Sequence, residues 1–198
     1  MLRVLFLYTL YASANDLFTF FYLLPRPDSS EIYHFFTSLF TIVEFLLFAG
    51  ILYILILGRL RRLLVIVGSI GFVIYCVAEY LNSFKTPAFD SLPASIEAIL
   101  LIIFCILFFF EQLTKPPTVA IYKSNRFWIV FGIMVYTSLS FFLFLQSYIT
   151  PLQVFNGYWD INLVSNILKN IIFAIAFVIK EETPLNQSNF RTTNLYKP

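Results

Sequence analysis

The sequence predicts an all-α fold, a polytopic membrane helix bundle of six transmembrane helices with both termini cytoplasmic. Three observations lead there. First, 60% hydrophobic, 20% aromatic and only 12% charged residues would leave a water-soluble globule of 198 residues with too much exposed apolar surface. Second, six apolar stretches are each long enough to cross the hydrocarbon layer, which is about 30 Å thick and takes about 20 helical residues. Third, Lys and Arg collect in every second gap between those stretches.

The first span covers about 3–24. It reads as a retained helix and not as a cleaved signal peptide, because the apolar stretch is too long, Arg3 alone precedes it, and no small-residue cleavage pattern follows. The remaining spans cover about 31–57, 63–81, 92–113, 127–148 and 160–179. Short gaps with turn chemistry separate them: Pro25–Ser30, Gly58–Arg62, Asn82–Ser91, Thr114–Arg126 and Thr150–Trp159. No extramembrane domain fits in such gaps, and no repeat suggests inverted halves. Residues 181–198 are polar and aperiodic and read as a short cytoplasmic tail.

Orientation follows from charge. One side receives Arg3; Arg59, Arg61 and Arg62; Lys115, Lys123 and Arg126; and Lys180, Arg191 and Lys197. The other receives Arg26 and Lys85. Ten against two, in short loops, places both termini in the cytoplasm. The formal charge of +2 is thereby explained by topology and anionic lipid headgroups, and no nucleic-acid partner is implied.

Most aromatics read as lipid-facing or packing residues, with Phe127, Trp128, Tyr158 and Trp159 as headgroup-level anchors at helix starts. Cys76 and Cys105 fall inside spans and read as buried thiols. Gly68, Ser69 and Gly71 read as a small-residue contact surface, intramolecular or between copies.

Ionisable residues inside spans carry the functional information. A charge at the bilayer centre costs about 2.5–3.5 kcal/mol on insertion scales, so such groups face the bundle interior and find partners. Asp16, Glu44 and Lys169 lie well inside apolar segments, while His34, Glu79, Glu97 and Asp160 lie nearer helix ends. Steps of three and four align Thr9, Ser13 and Asp16 in the first span, His34, Ser38, Thr41 and Glu44 in the second, and Asn162, Asn166 and Lys169 in the sixth. At 1.5 Å per residue, Glu44 lies about 20 Å and Lys169 about 14 Å below the outer starts of their helices. The two are expected to meet near mid-membrane, directly or through Asn166 or Asn170, with Asp16 nearer the outer face. The polar groups Asp16, His34, Ser38, Thr41, Glu44, Glu79, Glu97, Asn162, Asn166 and Lys169 then describe a cavity that opens outward and narrows to an ion pair. Polar residues in membrane bundles also serve simply to hold helices together, at well under about 1 kcal/mol each.

Sharper chemistry is disfavoured. One His and two isolated Cys do not make a metal site, and no Gly-x-Ser-x-Gly, Walker or His-Glu-x-x-His pattern occurs. A lysine in the last span invites comparison with retinal proteins, but six spans without a counter-ion helix do not fit them. No cofactor is implied. The segments Phe84–Glu97 (FKTPAFDSLPASIE), Arg126–Tyr136 (RFWIVFGIMVY) and Asn166–Phe177 (NILKNIIFAIAF) resemble those of small uncharacterised multi-span inner-membrane proteins of Bacteroidota. That resemblance implies a multi-pass protein of a bacterial inner membrane and brings no catalytic residues.

The expectation is a non-enzymatic integral membrane protein, a sensory or accessory module. Its partners would be the lipid bilayer and a membrane signalling protein or further copies of itself. The alternative is a small transporter or channel using the same cavity. A lipid-directed enzyme, with Glu97, Asp160 or His34 as acid or base, is a third and weaker reading.

Overall fold

In hydrocarbon every backbone N–H and C=O must be paired internally, so long apolar runs have little choice but helix. The computed structural model describes residues 2–19, 21, 30–83, 91–114, 121–149 and 159–179. These form α1 (Leu2–Phe18), α2 (Ser30–Leu55), α3 (Arg59–Ser83), α4 (Ser91–Thr114), α5 (Asn125–Ile149) and α6 (Trp159–Val178), with one 3-10 turn at Ile121–Lys123. No strand occurs among the described residues. Five helices, α2 to α6, are long and apolar enough to cross a membrane, which makes the chain a multi-pass helical membrane protein. The 17 residues of α1 span about 26 Å, short of a full crossing, and the rest of the expected first span lies largely outside the described residues. The expected tail and most of the loops expected on the outer side, with Arg26, Lys85 and Tyr158, also lie outside them.

Helix ends follow local chemistry. Ser124 Oγ accepts the Arg126 N–H at 3.3 Å and caps α5. Pro93 falls in the first turn of α4, where its missing N–H costs nothing. The gap expected at Gly58–Arg62 is shorter than its sequence suggests: only Ile56–Gly58 separates α2 from α3, and Arg59, Arg61 and Arg62 occupy the first turn of α3. Arginine is a good helix former, and the Arg62 N–H already bonds the Gly58 carbonyl at 2.9 Å. The Arg62 side chain turns back to donate to Ile56 O at the carbonyl end of α2.

Two contacts gather one end of the bundle. Glu111, near the end of α4, accepts the Leu57 and Gly58 N–H groups at 3.2 and 3.3 Å and pairs with Arg61 at 3.1 Å. Leu2 and Arg3 of α1, Leu55 and Leu57 beside α2, and Asn125 and Arg126 of α5 line a common recess. Every described Lys and Arg except Lys169 therefore sits at this basic end.

The core lies between α2, α4 and α5, with α1 and α6 closing one side. Phe48, Ile51 and Leu52 of α2, Leu101 and Phe108 of α4, and Ile129 and Ile133 of α5 are all buried. Peripheral α3 has 17% of its spanning stretch buried against 44% in α2, α4 and α5, and it turns Leu60, Leu63, Val67, Ile70 and Ile74 outward. Such a face suits lipid. Gly68 packs against Phe104 of α4, so the contact read from the Gly68–Gly71 run is intramolecular there, whereas Gly71 faces open space. The sequence reading overlooked Gly132, where an added Cβ would stand 2.8 Å from the Phe173 ring of α6. Cys76 and Cys105 are buried and unpaired with each other.

Candidate functional site

Periodicity brings Glu44 to the inner face of α2 and Lys169 to the inner face of α6, where they are 4% and 2% exposed. The ammonium lies 3.8 Å from Glu44 Oε1, long for a direct ion pair, because Tyr8 stands between them. The Tyr8 hydroxyl donates to Glu44 Oε1 at 2.6 Å and accepts from Lys169 Nζ at 2.5 Å. Lys169 also donates to Asn166 Oδ1 at 2.8 Å and lies 3.9 Å above the Tyr136 ring centroid. Tyr136 in turn donates to Glu44 Oε2 at 3.3 Å. Both carboxylate oxygens are thereby partnered, and α1, α2, α5 and α6 meet at one charge-bearing knot.

The two tyrosines were missed by the sequence reading. Tyr136, Thr137, Ser140 and Phe144 form an inward stripe on α5 at helical spacing, a signal hidden among the chain's many aromatics. On α1 the stripe Thr9, Ser13, Asp16 needs correction. Thr9 bonds its own Phe6 carbonyl at 2.8 Å and Ser13 is exposed, while Leu5 and Tyr8 point inward and Ala12 lines the cavity. A Thr hydroxyl that bonds its own helix turns away no differently from an apolar one.

Above the knot lies a cavity of about 190 Å³. It occupies the half of the bundle where α1 and α5 end and α2, α4 and α6 begin, opposite the basic end. Asp16, Thr41, Glu44, Glu97, Asn162 and Asn166 line it, as expected from the sequence, together with Asn15, Thr37, Thr137 and Ser140, which were not. Asn166 Nδ2 bonds the Asn162 carbonyl at 3.0 Å, which locks the amide so that its oxygen faces Lys169. Asp16 is exposed at the rim.

Glu97 lies in the second turn of α4. It is 8% exposed, in the cavity wall, and its Oε1 has no hydrogen-bond partner among the described residues. Ser38 and Glu79 line a separate crevice of about 10 Å³ with Cys76, Tyr80 and Pro93. One residue of rotation separates Ser38 from Thr37, and 100° of helix turn sends them to different neighbours. His34 and Asp160 lie in α2 and α6, but their side chains fall outside the described residues. Among those residues no group of three His, Cys, Asp or Glu is placed to hold a metal ion.

On the other side of the knot Leu5, Phe48, Leu52, Ile133, Phe173 and Ala176 are buried. The site is thus a polar cavity whose floor is the hydrogen-bonded network joining four helices. No family model matches the chain, and neither a curated protein nor a solved structure is similar to it at a significant level.

Proposed function

We propose that this chain is a six-span, non-enzymatic protein of a bacterial inner membrane, with both termini cytoplasmic, that acts as a sensory or accessory module. The basic end of the bundle supports the orientation, because Arg3, the α3 arginines and Arg126 gather where the positive-inside bias would put the cytoplasm. In this reading α1 is the remaining crossing, the first in chain order. The resemblance to Bacteroidota inner-membrane proteins agrees with that location.

The observation that carries the reading is the polar cavity floored by Glu44, Tyr8, Lys169 and Tyr136. A ligand entering from outside meets the groups that hold α1, α2, α5 and α6 together. Occupancy redistributes those hydrogen bonds, favours one helix packing over another, and passes the change to the basic loops, where a partner reads it. The described side chains directly below the knot are buried and apolar, which favours a ligand site over a transport route through the monomer.

Mild crosslinking in native membranes, followed by affinity purification of the tagged protein and mass spectrometry, tests this. Reproducible recovery of a membrane signalling protein is the expected result. Recovery of the protein alone, combined with solute uptake into liposomes that Lys169→Met blocks, would replace the sensory reading with transport.

A further inference from the structure

Two carboxyl groups, Glu44 and Glu97, are buried at the cavity, and the one ammonium beside them among the described residues, Lys169, is committed to Tyr8, Asn166 and the Glu44 side of the network. Asp16 adds a third carboxylate at the rim. Buried charges persist in membranes and protein interiors when they are paired. Glu97 Oε1 has no hydrogen-bond partner, in a wall that faces empty space. A buried carboxyl acceptor left over beside a second carboxylate is best met by a donor that carries positive charge.

The shape and lining narrow the class. Among the described residues the carboxylates do not converge into a metal-holding group, which disfavours a chelated divalent ion. The cavity that Glu97 lines is also lined by Phe40 and Phe144, with oxygen acceptors on Thr41 and Asn162. Aromatic faces attract organic cations, and hydroxyl and amide oxygens accept ammonium N–H groups. A volume of about 190 Å³ lies below the roughly 300–1,000 Å³ of drug-sized pockets, so the occupant is small.

We infer that the cavity binds a small primary ammonium ion, whose N–H groups bond Glu97 and whose alkyl part lies against the aromatic wall. This rests on reading the cavity as a ligand site, and it names the ligand class. Glu97 is the recognition residue, and the Glu44–Lys169 knot beneath it is the floor that senses the added charge.

The test uses the purified full-length protein in lipid nanodiscs, with thermal unfolding followed against concentration of methyl-, ethyl- and propylammonium chloride. Sodium chloride, potassium chloride and sodium propionate at matched ionic strength are the comparison arms. The expected result is a saturable rise in the unfolding midpoint with the alkylammonium ions alone. Glu97→Gln, close in shape and lacking the charge, weakens the apparent affinity at least tenfold, and Glu97→Asp keeps most of it. An equal shift with sodium or potassium, or unchanged binding in Glu97→Gln, would overturn the inference. Saturation by propionate instead would overturn the cation while leaving an outward binding cavity. No saturable shift with any probe would overturn both.

Discussion

Replacing Lys169 by Leu removes the only ammonium facing Glu44 among the described residues. The carboxylate keeps the Tyr8 and Tyr136 hydroxyls but loses its counter-charge, at 4% exposure. Breaking a buried pair from one side costs about 3–5 kcal/mol, because the remaining charge is uncompensated. Glu44→Leu strands Lys169 similarly, although Asn166 Oδ1 still accepts from it. The double change Glu44→Leu with Lys169→Leu removes both charges and leaves mainly the Tyr8 and Tyr136 hydroxyls short of an acceptor, a penalty of about 1–3 kcal/mol. The double variant is therefore expected to be no less stable than either single variant, with a coupling energy of about 2 kcal/mol or more. The assay is a double-mutant cycle on reversible unfolding in mixed micelles. Ordinary polar contacts in membrane bundles couple by about 0.6 kcal/mol on average. Losses that add to within about 0.5 kcal/mol would refute the knot as a charge-coupled unit.

Glu111→Ala strips the Leu57 and Gly58 N–H groups and Arg61 of their shared acceptor and should cost about 1–3 kcal/mol in the same unfolding assay. Arg61→Ala, at a partly exposed position, should cost about 1 kcal/mol or less. Gly132→Ala pushes against Phe173, which packs on Tyr8 and Phe48, and is expected to destabilise by about 1–3 kcal/mol. Gly71→Ala meets nothing within 4 Å and should destabilise by no more than about 0.5 kcal/mol. In intact cells, an impermeant thiol reagent should label Lys85→Cys and spare Arg126→Cys until the membrane is opened. The reverse pattern would invert the proposed orientation, and the burial of Cys76 and Cys105 keeps the background low.

The Glu44–Lys169 encounter was legible because it needs only two regular quantities, the rise per residue and the 3.6-residue turn, applied to rare residues in an apolar chain. Tyr8 and Tyr136 were not legible for the opposite reason. In a chain with 20% aromatic residues, two tyrosines that donate to a carboxylate look the same as those that pack. The α2 stripe shows the limit of angular resolution: Glu44 lines the cavity, Ser38 turns to the crevice with Glu79, and Thr41 borders both, because neighbours on two sides compete for one helix face. Glu97 was legible as a polar residue near the start of α4, but its lack of a hydrogen-bond partner depends on how α4 packs beside α2 and α5.

The amino-acid sequence by itself determined that the chain is a helical membrane protein, where most of its helices run, and that its basic residues alternate. Apolar length, turn residues and charge are properties of a segment and its solvent, and they need no neighbour to be read. Only the tertiary structure decided that Tyr8 and Tyr136 complete the ion pair, that Glu97 faces a vacant space, and that the arginines after Gly58 belong to a helix end held by Glu111. Those facts depend on which faces of different helices meet, and that is set by side-chain packing across residues far apart in the chain.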